Sequence, residues 1–130
     1  MARILIVDDD FDIKLMLAKH LELMGHTPIL ASNGWEALIA MEHRPIDLIL
    51  LDVMMPGMDG PTFLRILQES SQDHLLPVLV ISALGESEAK NRFAGLRVAG
   101  ILPKTQKLLD ELFASIDHLL KSYSAVTSES

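Results

Sequence analysis

Short apolar runs alternate along the chain with segments of helical spacing. The runs stand at 3–7 (RILIV), 27–31 (TPILA), 47–51 (DLILL), 77–81 (PVLVI) and 99–102 (AGIL). They are continuous rather than alternating, which suits strands buried on both faces of a parallel sheet. Between them, Ile13, Met16, Leu17, Leu21 and Met24 form a stripe, with Gly25 in the position that ends helices. Asn33 and Glu36 have N-cap and N3 spacing and open a second helix through about Met41. Pro61 suits a first helical turn and is followed by Phe63, Leu64 and Leu67. Residues 86–95 carry a weaker helical pattern, and Leu109, Leu112, Phe113, Ile116 and Leu120 mark a final helix. Leu108 and Leu119 widen its apolar face, which reads as packing on a sheet, with a dimer or partner surface as the alternative. Trp35, opening the second helix, reads as partly buried packing.

Five β–α units in succession predict the α/β class: a doubly wound parallel sheet with helices on both faces. Right-handed crossovers leave few topologies. In such folds ligands sit outside the carboxyl ends of the strands, at the switch point of the winding. One domain is expected over residues 1–121, with 122–130 (SYSAVTSES) as a flexible tail or the start of a linker.

Composition narrows the classes. The chain has 130 residues, 49% of them hydrophobic, enough to bury a core without disulfides. It has no cysteine, which excludes thiolate metal sites and cysteine nucleophiles. The net charge of −7 argues against direct binding to nucleic acid or to anionic membrane. The apolar run after Arg3 is too short for the core of a signal peptide, and no run approaches membrane-spanning length. A cytoplasmic protein is expected.

The switch-point rule then selects residues. Asp8 and Asp9 follow the first strand, Asp52 the third, Ser82 the fourth and Lys104 the fifth. Singly, each has an ordinary reading as a turn residue, cap or surface charge. Asp10 and Asp12 fit such a role, in the cap and first turn of the first helix. Together, three carboxylates converging on one edge would repel one another without a cation. Hard divalent ions with oxygen ligands, Mg2+ above all, suit that set and bridge to phosphoryl oxygens. The stretch LDVMMPGMDGPTFL sets Asp52 beside a rigid turn, where it could attack phosphorus and form an aspartyl phosphate.

These stretches resemble the response-regulator receiver domains of two-component signalling. The likeness rests on VDDD after strand one, NGWEAL, DLILLDVMMPGMDG, VLVISA and the lysine after strand five, and covers residues 3 to about 121. It implies a flavodoxin-like three-layer sandwich with strand order 2-1-3-4-5 and five helices. It implies Asp52 as phosphoacceptor and Mg2+ held by Asp9, by Asp8 partly through water, by Asp52 and by the backbone carbonyl of Met54. Ser82 and Lys104 would contact the phosphoryl group. The donor would be a sensor histidine kinase, a histidine phosphotransfer protein or a small molecule such as acetyl phosphate. The domain would catalyse its own phosphorylation and dephosphorylation without turning over a separate substrate. The switched surface of helix four, strand five and helix five would act on an effector protein, an output domain or a second copy in a homodimer.

The sequence departs from the family pattern in three places. Pro103-Lys104-Thr105 stands where Lys-Pro is common, Ile101 replaces a switching aromatic, and Met54 and Leu84 occupy positions that tune dephosphorylation. A receiver-like docking module that does not use phosphate is the alternative. A flavodoxin-like cofactor binder fits less well, because the loop after strand one is acidic and would repel a phosphate. A dedicated hydrolase lacks a separate general base.

Overall fold

The computed structural model describes residues 2–70, 76–105 and 107–128, with side chains omitted from 123 onward. The strands are β1 (Arg3–Val7), β2 (Thr27–Ala31), β3 (Leu48–Asp52), β4 (Val78–Ser82) and β5 (Gly100–Pro103). The helices are α1 (Phe11–Leu23), α2 (Gly34–His43), α3 (Gly60–Ser70), α4 (Glu86–Arg92) and α5 (Leu108–Ser128). All neighbouring strands pair in parallel, in the order β2-β1-β3-β4-β5. This is the doubly wound sheet that the apolar runs predict.

The continuous runs work because each strand feeds two cores. Leu5, Val7, Ile49, Leu51, Val78 and Val80 join one core with Ala37 of α2 and Phe63, Leu64 and Leu67 of α3. Ile4, Ile6, Leu48, Leu50, Leu79 and Ile81 join the other with Leu17, Ala18 and Leu21 of α1 and Leu108, Leu112 and Ile116 of α5. Successive strand residues point to opposite faces, so a strand with helices on both sides must be apolar throughout. The broad stripe of α5 is used in this packing, with Leu109, Phe113, Leu119 and Leu120 partly buried along its margins.

Four local features differ from the sequence pattern. Strands β3, β4 and β5 each begin and end one residue later than their apolar runs. At β3 the cause is Asp47, whose carboxylate accepts from the Arg3 backbone N–H at 2.7 Å and so serves as a turn group. Helix α1 is rotated: its buried residues are Lys14, Leu17, Ala18 and Leu21, while Met16 and Met24 are exposed. Trp35 is exposed as well. Gly34 takes the inward position, close against the Met58 side chain, which turns Trp35 outward beside Gly57. Finally, the backbone of α5 is helical through Ser128, across positions expected as a tail; that stretch has no glycine or proline to stop a helix. Residues 129 and 130 lie outside the described residues.

Candidate functional site

Parallel pairing brings the candidate residues to one edge. Val7 pairs with Leu51, Asp52 with Ile81 and Ser82 with Pro103. Asp8 therefore leaves β1 level with Asp52 at the end of β3, and Lys104 leaves β5 at the same edge, beyond β4, from where its side chain reaches both. The turn after β1 is tied down: the Asp8 N–H donates to the Ala31 carbonyl at 3.1 Å and the Asp10 N–H to Asp8 Oδ1 at 2.9 Å. Asp10 caps α1 by accepting from the Asp12 and Ile13 N–H groups, the structural role its position predicts.

Carboxylate oxygens of Asp8, Asp9 and Asp52 lie within 4.8 Å of one another. Asp8 and Asp52 are buried and Asp9 is exposed. Lys104 Nζ sits 2.9 Å from Asp8 Oδ2 and 3.2 Å from Asp52 Oδ1. The changed order around Pro103 does not keep the lysine out. The Lys104 N–H donates to the Ser82 carbonyl at 2.9 Å and the Thr105 N–H to the Pro103 carbonyl at 2.9 Å, a tight turn that aims the side chain inward. Asp52 Oδ1 also accepts from the Val53 N–H at 2.9 Å. Both contacts fall on Oδ1, and no buried side-chain oxygen among the described residues lacks a partner. Oδ2 is therefore the oxygen that reaches the open side.

Ser82 stands at the same edge, but its hydroxyl accepts from the Leu84 N–H at 2.9 Å within its own loop. The Met54 side chain is exposed. Each candidate thus lies at this edge or in the loops leaving it, with Asp8, Asp52 and Lys104 in direct contact. A groove of about 470 Å³ between α2 and α3, lined by Leu38, Met41, Pro45, Ile46, Ile66 and Leu67, lies away from it.

The electrostatics match this crowding. Burial, and then the charge of Asp8, push the Asp52 carboxyl up to about 6 against an ordinary 3.8, although Lys104 pulls the other way. Burial alone would lower the Lys104 ammonium; its bond to Asp8 and the charge of Asp52 outweigh this and hold it above its ordinary value. The folded state thus binds a proton at Asp52 more tightly than the unfolded chain does. The associated stability is complete below about 3.8 and lost as pH rises through about 6. Asp52→Asn is therefore expected to exceed wild type in stability by about 1–3 kcal/mol near neutral pH with chelator present. The gain should vanish near pH 4, where wild-type Asp52 is already protonated. Urea unfolding midpoints at the two pH values check this.

A doubly wound α/β domain with carboxylates and a lysine gathered at its switch point defines the class. Comparison then gives the family: the model described as "Response regulator receiver domain" matches residues 4–117, and the chain belongs to that family. It is 35% identical over 130 residues to the probable transcriptional regulator ycf27 of Porphyra purpurea, covering 97% of this chain and 50% of that protein. It is 38% identical over 124 residues to the response regulator MprA of Mycobacterium sp. (strain KMS), covering 94% of this chain and 52% of that protein. The chain spans about half the length of these relatives. Among solved structures it resembles the response regulator protein TrrA from Thermotoga maritima in complex with Mg2+-BeF. That likeness has a TM-score of 0.79 and 27% identity, over 92% of this chain and 99% of that one. Among the described residues no helix is long and apolar enough to cross a membrane.

The sequence reading missed Lys14. Its only sequence signal is its place three residues before Leu17 and seven before Leu21, on the stripe those leucines define.

Proposed function

We propose that the domain accepts a phosphoryl group on Asp52 from a phosphohistidine donor, with Mg2+ as cofactor, and relays the signal through α4, β5 and α5. The observation that carries this reading is the contact of Lys104 with both Asp8 and Asp52 beside a third carboxylate, Asp9. An all-oxygen donor set with excess negative charge fits a hard divalent ion. Asp8, Asp9 and Asp52 would hold Mg2+ together with the Met54 carbonyl, and the bound ion would neutralise charge on the phosphoryl oxygens.

The chain's own groups supply the rest. Asp52 Oδ2 forms the bond to phosphorus as the phosphorus–nitrogen bond to the donor imidazole breaks, and the leaving imidazole retains the electron pair and takes a proton. Lys104 keeps the nucleophile oriented through Oδ1 and offers its ammonium to the transferred group. Ser82 would exchange its Leu84 partner for a phosphoryl oxygen, drawing residues 83–87 inward and shifting α4. A sensor kinase or phosphotransfer protein on the input side, and an effector or output domain on the other, are the partners this requires. The structure of TrrA in complex with Mg2+-BeF supports the same chemistry here.

Intact-mass analysis after Mg2+ and acetyl phosphate tests the reading. Wild type is expected to gain one phosphoryl group and Asp52→Ala none. A wild type that takes no adduct and binds no Mg2+ would favour the phosphate-independent docking module.

Loss of the group needs an oriented water. Met54 and Leu84 carry side chains that cannot orient one by hydrogen bonding. Met54→Asn is therefore expected to shorten the half-life of the phosphorylated form several-fold, followed by the decay of the mass adduct. An unchanged half-life would count against this role for the position.

A further inference from the structure

Lys14 stands first in the buried stripe of α1, ahead of Leu17, Ala18 and Leu21, and is only 4% exposed. An apolar residue would fill that position at lower cost, because burying an ammonium is unfavourable unless it is bonded. The ion pairs among the described residues do not include it. Its Nζ donates to Ser32 Oγ, in the loop between β2 and α2.

That bond closes a ring around the acidic turn. The Ser32 neighbour Ala31 accepts from the Asp8 N–H at 3.1 Å. Asp8 Oδ1 accepts from the Asp10 N–H at 2.9 Å, and the Asp10 carbonyl accepts from the Lys14 N–H at 3.1 Å. Ser32 is itself held, its N–H donating to Glu36 Oε1 at 3.0 Å in the first turn of α2. Asp9 lies inside this ring, between Asp8 and Asp10, and its exposed carboxylate depends on the backbone of the turn for its position.

We propose that Lys14 is a positioning residue for the cation site: with Ser32 it clamps α1 to the β2–α2 loop and so fixes where Asp9 presents its carboxylate. This rests on the Mg2+ reading above. Simple electrostatics makes the opposite prediction. A cation near an acidic site repels Mg2+, so removing it should tighten binding.

Calorimetric titration with MgCl2, run well below each variant's unfolding temperature, separates the two. Lys14→Met is expected to bind Mg2+ about 10-fold more weakly, the size typical of residues that orient metal ligands. Ser32→Ala, which keeps the charge and removes the partner, should weaken it in the same direction, and Lys14→Arg should recover most of the affinity. Affinity that is unchanged or tighter in Lys14→Met overturns the clamp. If Lys14→Met does not fold, Ser32→Ala decides alone, and unchanged affinity there overturns it equally. A wild type that binds no Mg2+ overturns the cation reading and the clamp with it, a failure distinct from that of the variants.

Discussion

Lys104→Met is expected to lose about 3 kcal/mol of folding stability near neutral pH in chelator, and excess Mg2+ should restore most of it. The lysine bonds two carboxylates that are only 3% and 7% exposed, Asp8 and Asp52. Methionine keeps much of the volume and removes the charge, so two buried acids are left facing each other. Breaking a buried pair in this way is costly because the remaining charge has neither partner nor water. Proton uptake limits the loss: Asp52, already near 6, takes a proton more readily once Lys104 is gone. A cation bound among the same acids supplies the missing charge. The double variant Asp52→Asn/Lys104→Met isolates the cause, since one carboxylate is then neutral and little repulsion remains. Asp52→Asn should stabilise the Lys104→Met variant by more than it stabilises wild type, the non-additivity expected of groups in contact. Strict additivity, or a loss that Mg2+ leaves untouched, would mean the lysine matters only for packing.

The same pocket indicates what a sequence reveals and what it withholds. The edge was legible because the rule behind it is topological. Parallel strands all end on one side, so residues following apolar runs must meet there whatever lies between them in the chain. Asp8, Asp52 and Lys104 were found that way, and the apolar runs themselves followed from burial on both faces. The facing of α1 was less legible. Leu17 and Leu21, with Ile13 partly buried beside them, belong both to the expected stripe and to the observed one, so hydrophobicity alone placed Met16 and Met24 there too. A lysine scores as surface by type, and only its contact with Ser32 makes its burial tolerable. Trp35 failed for the converse reason. A large aromatic suggests burial, but Gly34 beside it is the residue small enough to sit against Met58. The division of labour among the acids also depended on geometry, since Asp8 and Asp9 are neighbours of one type that face a buried and an open side.

Gly60→Ala is expected to cost about 3 kcal/mol and, unlike the lysine variant, to gain nothing particular from Mg2+. Gly60 opens α3, and its N–H donates to the Val53 carbonyl at 2.8 Å. A Cβ there would lie 2.2 Å from the Asp52 carbonyl oxygen and 3.2 Å from Val53 Cα. Both are backbone atoms of the strand end that carries the candidate nucleophile, so no side chain can turn aside to make room. Relief requires α3 or the end of β3 to move. Either shift displaces the Asp52 carboxylate from Lys104, and misplacement by about 1 Å is enough to slow a positioned reaction roughly 100-fold. Phosphorylation by acetyl phosphate should fall accordingly even at temperatures where the variant stays folded. Gly25→Ala is the comparison. There a Cβ meets nothing within 4 Å, and the strain comes only from a φ of +89° after α1, a cost of about 1 kcal/mol with no path to the pocket. Urea unfolding and adduct formation measured on both variants separate the effects: Gly60→Ala should lose stability and phosphorylation together, and Gly25→Ala a little stability alone. Equal behaviour of the two would show that the close approach of α3 to Asp52 is not what holds the nucleophile in place.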